Sequence, residues 1–107
     1  MNTQTILHHE ITIDNETIEN FCRENGIRKL SLFGSVLRDD FTPESDIDVL
    51  VEFMPGEAVT LIRLSQMERG LSKLFGDRKI NLRTPRELSD YFRDRVLAEA
   101  EELYVYR

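Results

Sequence analysis

The segment Asp46-Ile-Asp-Val-Leu-Val-Glu-Phe53 constrains this chain more than any other stretch of it. Its centre is apolar and β-branched without polar alternation, which predicts a buried strand. Asp46 and Asp48 open that strand at i and i+2, where side chains face the same way about 6–7 Å apart along the backbone. Two carboxylates so close repel each other and are costly when buried. A divalent cation near them removes that cost. Mg²⁺ takes hard oxygen ligands and keeps waters and substrate phosphates in its shell. Two such ions about 3.5–4 Å apart form the clamp used for phosphoryl-type displacement. Taken alone, Asp-x-Asp also reads as a pair of caps for the strand or its neighbouring loop.

The rest of the chain alternates helix and strand signals around this segment. Asp14 caps a predicted helix running to about Asn25, with Ile18, Phe21 and Cys22 on one apolar stripe and Gly26 ending it. Cys22 on that stripe reads as a small core residue. Lys29–Phe33 reads as a strand, Val36–Arg38 as one helical turn, and residues 39–45 as a loop. Residues 60–75 place Leu64, Met67, Leu71 and Leu74 at helical spacing, so Met67 is core packing. Lys79–Arg83 is a further strand. Thr84-Pro85 opens a last helix whose apolar side is Leu88, Tyr91, Phe92, Val96 and Ala100. Residues 103–107 read as a fraying helix or a short extra strand, leaving Tyr104 and Tyr106 open between contact and packing. Residues 1–12 carry little pattern and are expected to be loosely held. His8-His9-Glu10 resembles metal-ligand chemistry, but adjacent residues point apart. The expected fold is α/β: a small mixed β-sheet flanked by helices.

The chain has 107 residues, which supports one domain, 1–107, with a small core. No apolar run approaches the roughly 18–20 residues of a membrane span. Met1–Thr5 lacks the start of a signal peptide. A single cysteine cannot form an internal disulfide or a Cys-rich zinc site. A cytoplasmic protein without membrane contact is expected. Fourteen Lys+Arg against twenty Asp+Glu give a net charge of −6. That balance argues against direct, sequence-independent binding of DNA or RNA, which runs on clustered cations. It still allows a local basic pocket for a nucleotide.

Gly34-Ser35 follows a predicted strand and precedes a helical turn. Backbone N–H groups at such a junction form an anion site, and glycine admits a phosphate closely. A lone Gly-Ser is otherwise a turn. Gly-Ser, ten residues, then Asp-x-Asp on a strand is a far more specific pattern. With Gly-Ser-x-x-Arg and Ser-Asp-Ile-Asp-Val-Leu-Val, it resembles the DNA polymerase β-like nucleotidyltransferase superfamily, and within it the minimal nucleotidyltransferases. The similarity continues through Ile80-Asn-Leu-Arg-Thr-Pro and Arg93-Asp-Arg, covering roughly residues 15–104.

The resemblance implies that Gly34 and Ser35 hold the β- and γ-phosphates of an NTP, and that Asp46 and Asp48 ligate Mg²⁺. An attacking hydroxyl then displaces pyrophosphate from the α-phosphate. Arg38 belongs to the pattern, either as a phosphate contact or as a salt bridge to the 39–48 loop. The family's third carboxylate falls at Asn81 here. An amide can offer a metal its carbonyl oxygen but neither negative charge nor a proton-accepting carboxylate. The resemblance therefore implies two Mg²⁺ sites, one of them weakened at Asn81. Asp77 and Glu52 are the nearest spare acids, and neither stands at the expected place.

So small a chain has little left to enclose an acceptor, which points to a macromolecule that docks. The resemblance implies the same: minimal nucleotidyltransferases pair with HEPN-domain toxins as antitoxins, attaching AMP from ATP to a toxin tyrosine. The alternatives are a weak or inactive antitoxin of this fold that neutralises by binding alone, with Asn81 as its mark, and a transferase for another acceptor. Glu99, Glu101 and Glu102 form an acidic cluster that either serves solvation or complements a basic face of the partner.

Overall fold

The computed structural model describes residues 4–6, 12–38, 42 and 44–106. His8, His9, Glu10 and residues 39–41 of the predicted loop lie outside them, as does the side chain of Ser35. The element order is β1 (Gln4–Ile6), β2 (Thr12–Asp14), α1 (Asn15–Glu24), β3 (Ile27–Phe33), β4 (Ile47–Phe53), α2 (Leu61–Leu74), β5 (Ile80–Arg83), α3 (Asp90–Glu99) and β6 (Glu101–Val105). Short 3₁₀ turns cover Gly34–Leu37 and Pro85–Glu87.

β3, β4, β5 and β6 form one sheet in the order β5-β4-β3-β6. β4 runs parallel to β5, with α2 in the crossover, while β3 pairs antiparallel with β4 and β6. The sheet is therefore mixed, as the alternation of signals predicted. The chain end forms the strand β6 on the far side of β3 rather than a fraying helix. The N-terminal stretch expected to be loosely held contributes an antiparallel pair, β1 with β2. Backbone pairing of this kind leaves little side-chain pattern over three residues, which is why the sequence did not show it.

β4 lies between two neighbours, so its alternation sorts residues onto two buried faces. Ile47, Val49 and Val51 join Ile18 and Cys22 of α1 and Met67 and Leu71 of α2 in the main core. Leu50, on the opposite face, meets Phe33 and Val96 of α3 in a smaller one. Ile27 and Leu30 of β3 both reach the main core, although they stand three residues apart. An irregularity in the pairing between Ile27 and Lys29 shifts the alternation by one.

α1 and α2 start and stop where the sequence indicates, whereas Thr84-Pro85 opens only the 3₁₀ turn and α3 begins at Asp90, after extended backbone at Leu88 and Ser89. Asp14 accepts hydrogen bonds from the backbone N–H groups of Glu16 (3.0 Å) and Thr17 (3.5 Å). Thr60 Oγ1 accepts from the Arg63 N–H at 3.1 Å. α1 and α2 touch at Gly70, where a Cβ would stand 2.9 Å from the Phe21 ring. α3 departs from expectation: Val96 is buried, but Tyr91 is 81% and Phe92 47% exposed. Its sheet-facing stripe is not the continuous apolar side that Leu88–Ala100 suggested. Tyr104 packs against the main core, whereas Tyr106 is exposed and its N–H donates to the Arg28 carbonyl at 2.7 Å. Among the described residues no helix is long and apolar enough to cross a membrane.

Burial pushes the Cys22 thiol up to about 12, with Glu19 adding to the shift. The folded state thus disfavours the thiolate, and stability from this group is lost as pH rises above its ordinary value toward 12. Native protein near pH 8 should resist alkylation at Cys22, and denatured protein should label promptly, as read by intact mass. Leu71 is fully buried at the centre of the main core. Leu71→Ala should cost about 2–5 kcal/mol in urea unfolding.

Candidate active site

The same alternation that sends Ile47 and Val49 into the main core turns Asp46 and Asp48 to the α3 face of the sheet. Parallel pairing sets Asn81 directly beside Asp48. The three side chains meet: Asn81 Nδ2 donates to Asp46 Oδ2 at 3.1 Å and to Asp48 Oδ1 at 3.2 Å. Two hydrogen bonds to charged acceptors offset the repulsion between the carboxylates. The amide nitrogen, not the carbonyl oxygen, faces them, because two anionic oxygens prefer a donor between them. For Asn81 to offer a metal its oxygen, the amide must turn over. Lys79 Nζ adds a looser cation 3.8 Å from Asp46 Oδ2. Lys79 was not singled out from the sequence, although it stands on the same strand approach two residues before Asn81.

Antiparallel pairing places Phe33, the last residue of β3, opposite Asp48. The chain then turns through Gly34 at φ +77°. A Cβ on Gly34 would lie 2.4 Å from Asp48 Oδ2. The bareness read as room for a phosphate thus first makes room for the carboxylate. Buried Val36 anchors the turn, and Ser35 shares its backbone. Arg38 lines the cleft above, together with Gly34 and Asp48. The loop before Asp46 is tied down by Arg78. Its Nη2 donates to the carbonyls of Thr42 and Ser45, both at 2.9 Å. Ser72 Oγ holds Arg78 in turn, donating to its carbonyl at 2.7 Å. Backbone carbonyls as partners leave no sequence signature, so this arginine was not legible beforehand.

The cleft measures about 310 Å³ and runs from Gly34, Arg38 and Asp48 to Phe92, Arg95 and Glu99 on α3. Arg93 and Arg95, both in the motif region of the last helix, separate here. Arg93 is structural: its Nε and Nη2 donate to the carbonyls of Pro85 (2.6 Å) and Leu88 (2.8 Å). Arg95 lines the cleft. The acidic cluster is also divided, with Glu102 paired to Lys29 at 3.1 Å and Glu99 to Arg95 at 3.5 Å.

The donor set fits a hard divalent cation that shares its shell with a substrate. Two carboxylates converge on one point, and Asp46 remains one-third exposed. Mg²⁺ commonly uses one or two carboxylates and completes its shell with water and phosphate oxygens. Among the described residues no group of three or more His, Cys, Asp or Glu comes together. Glu52 is engaged by Arg28, so it does not replace the missing carboxylate.

Two substitutions test this geometry. Asn81→Asp removes both bridging donors and adds a third negative charge. It should lower apo stability by about 1–3 kcal/mol and enlarge the rise in melting temperature on adding Mg²⁺ or Mn²⁺. Gly34→Ala combines a left-handed φ with displacement of Asp48. It should cost more than about 1–2 kcal/mol and weaken that same metal response.

The nucleotidyltransferase-domain family model matches residues 15–103. A candidate protein adenylyltransferase of Methanocaldococcus jannaschii, MJ0435, is 32% identical over 80 residues, which are 75% of this chain and 83% of that protein. The structure of a candidate minimal nucleotidyltransferase superposes with a TM-score of 0.66 at 31% identity, covering 80% of this chain and 85% of that one. A chain from the complex of a tri-AMPylated Shewanella oneidensis HEPN toxin with MNT antitoxin superposes with a TM-score of 0.60. Its identity is 20%, over 86% of this chain and 70% of that one, so this likeness speaks for the fold alone. The convergent Asp46–Asp48 pair beside the Gly34 turn, on a mixed sheet that such proteins share, agrees with the sequence match: the chain belongs to the nucleotidyltransferase family.

Proposed function

We propose that this chain is a Mg²⁺-dependent protein adenylyltransferase of the cytoplasm. In this reading it is the antitoxin of a HEPN-domain toxin and moves AMP from ATP onto a tyrosine hydroxyl of that partner. The observation that carries the reading is the convergence of Asp46 and Asp48 at 3.1 and 3.2 Å on one side-chain atom, beside the Gly34 turn. Support comes from MJ0435, named for protein adenylyl transfer, and from the fold shared with the complex of an AMPylated HEPN toxin.

In this mechanism the N–H groups of the Gly34–Leu37 turn, the Ser35 hydroxyl and Arg38 take the β- and γ-phosphates. Asp46 and Asp48 hold Mg²⁺, which when bound neutralises phosphate charge and polarises the phosphoryl oxygens. The acceptor oxygen attacks the α-phosphorus, forming an O–P bond. The bond from that phosphorus to the bridging oxygen breaks, and pyrophosphate leaves with the electron pair. The hydroxyl proton passes to the carboxylate pair and then to water. Asn81 cannot receive it, since an amide has no basic site of that strength. Its place in this scheme is to hold the two carboxylates at a fixed separation. An AMP on the toxin blocks it by adding negative charge where RNA phosphates bind.

One observation favours a second reading. The Asn81 amide occupies with N–H donors the point where a third carboxylate would act. A chain built that way can neutralise by contact alone.

Incubation of a HEPN-domain toxin from the source organism with this chain, Mg²⁺ and ATP separates the two. The proposed activity gives AMP-sized mass increments on the toxin that vanish with Asp46→Asn. An unchanged mass with the toxin still neutralised establishes inhibition by binding.

A further inference from the structure

α1 and α2 bury apolar residues in the main core. α3 buries Val96 alone. Phe92 and Glu99 flank Val96 at spacings of four and three, Arg95 stands three residues after Phe92 and four before Glu99, and all three line the cleft above Asp48. An aromatic and two charges on a helix stripe turned toward a sheet are costly choices for packing and useful ones for a ligand. Their position follows from topology. β6 begins at Glu101, opposite Leu32 of β3, so the C-terminal half of α3 must end beside the Phe33–Gly34 turn.

Resting on the nucleotidyltransferase reading of the site, we propose that α3 supplies the specificity wall of the nucleotide pocket. Phe92 gives the nucleobase a face to stack on, and Arg95 contributes to phosphate binding. The charge arrangement supports the division of labour. Arg95 Nε meets Glu99 at 3.5 Å, and both side chains are about two-thirds exposed. Such an i, i+4 pair is weak and screened, so a polyphosphate displaces Glu99 from the guanidinium at little cost. Bidentate guanidinium–phosphate contacts are stronger than the pair they replace. Arg38 on the opposite lip of the cleft brings a second guanidinium to the same space. Phe92, 47% exposed beside this charge, has a ring surface that no core requires. Base–aromatic stacking tolerates any base, so this wall selects for a nucleotide over bare polyphosphate rather than for adenine over guanine.

The test is equilibrium binding to the full chain, with Mg²⁺, of two probes. One is an ATP analogue with a methylene in place of the α–β bridging oxygen, which blocks transfer. The other is inorganic tripolyphosphate. Phe92→Ala should weaken the analogue roughly tenfold, as expected for loss of one stacked base, and leave tripolyphosphate unchanged. Arg95→Ala should weaken both probes, and Arg95→Lys should restore part of the loss. Leu97→Ala, on the same helix but outside the cleft, should alter neither, and thermal melts confirm that each variant folds. If the wild type binds the analogue and Asp48→Asn abolishes that binding, while Phe92→Ala and Arg95→Ala bind as the wild type does, the wall is refuted and the nucleotidyltransferase site stands. Equal losses of both probes in Phe92→Ala refute stacking. If the wild type binds neither probe, the wall and the proposed function fall together.

Discussion

β4 is buried on both faces, and nearly everything else in the molecule answers to that. Ile47, Val49 and Val51 fill one face of the sheet, where α1 and α2 close the main core. The intervening positions belong to the other face, where Leu50 packs and Asp48 stands. A two-residue period allows no intermediate arrangement: the register that buries the valines also presents the carboxylates. The start of the strand is held from both sides. The Ile47 N–H donates to the Lys79 carbonyl at 2.9 Å, and Arg78 secures the carbonyls of Thr42 and Ser45 just before it. The carboxylates therefore sit at the mouth of a strand paired on both sides, and Asp48 opens onto the cleft.

Placing two anions there is a local conflict that the fold resolves by hydrogen bonding. Asn81 arrives through the parallel β4–β5 register and offers one amide nitrogen to both. Lys79, just before the edge strand β5, adds diffuse positive charge. A carboxylate at position 81 would instead leave three anions to be held by cations alone. The amide thus trades metal-binding charge for stability of the empty site. Stored conflict of this kind is a mark of functional positions, where local choices follow chemistry rather than packing.

The two faces of the sheet have different uses. The α1–α2 face is closed, apolar and continuous, and it contains Cys22 with its burial-raised thiol pKa. The α3 face has a small apolar anchor at Phe33, Leu50 and Val96 and otherwise opens into a cleft. The described residues cover their sheet unevenly: the protein closes one face with two helices and the other with one. It leaves one side of its sheet half-covered, and the half-covered side is where the charged residues collect.

Much of this was legible in the sequence. Periodicity located α1, α2 and the central strands, because burial of one stripe or both faces imposes a pattern that local physics must obey. The Asp46–Asp48 pair, the Gly34 turn and the Asn81 position could be read as one constellation, since their spacing carries the family resemblance. Other features depend on partners distant in the chain. The face of α3 differs from the periodicity argument, in which Tyr91 and Phe92 look apolar: among the described residues no opposing layer covers them. β1 and β2 rest on backbone pairing, and β6 on finding the free side of β3. The roles of Arg78, Arg93 and Lys79 were hidden, because their contacts are made across the tertiary structure or to backbone carbonyls, which any residue provides. The sequence by itself determined which residues must be buried and which two acids must share a face. Only the tertiary structure decided what stands opposite them, because the β4–β5 register brings an amide from 33 residues away to the Asp48 carboxylate.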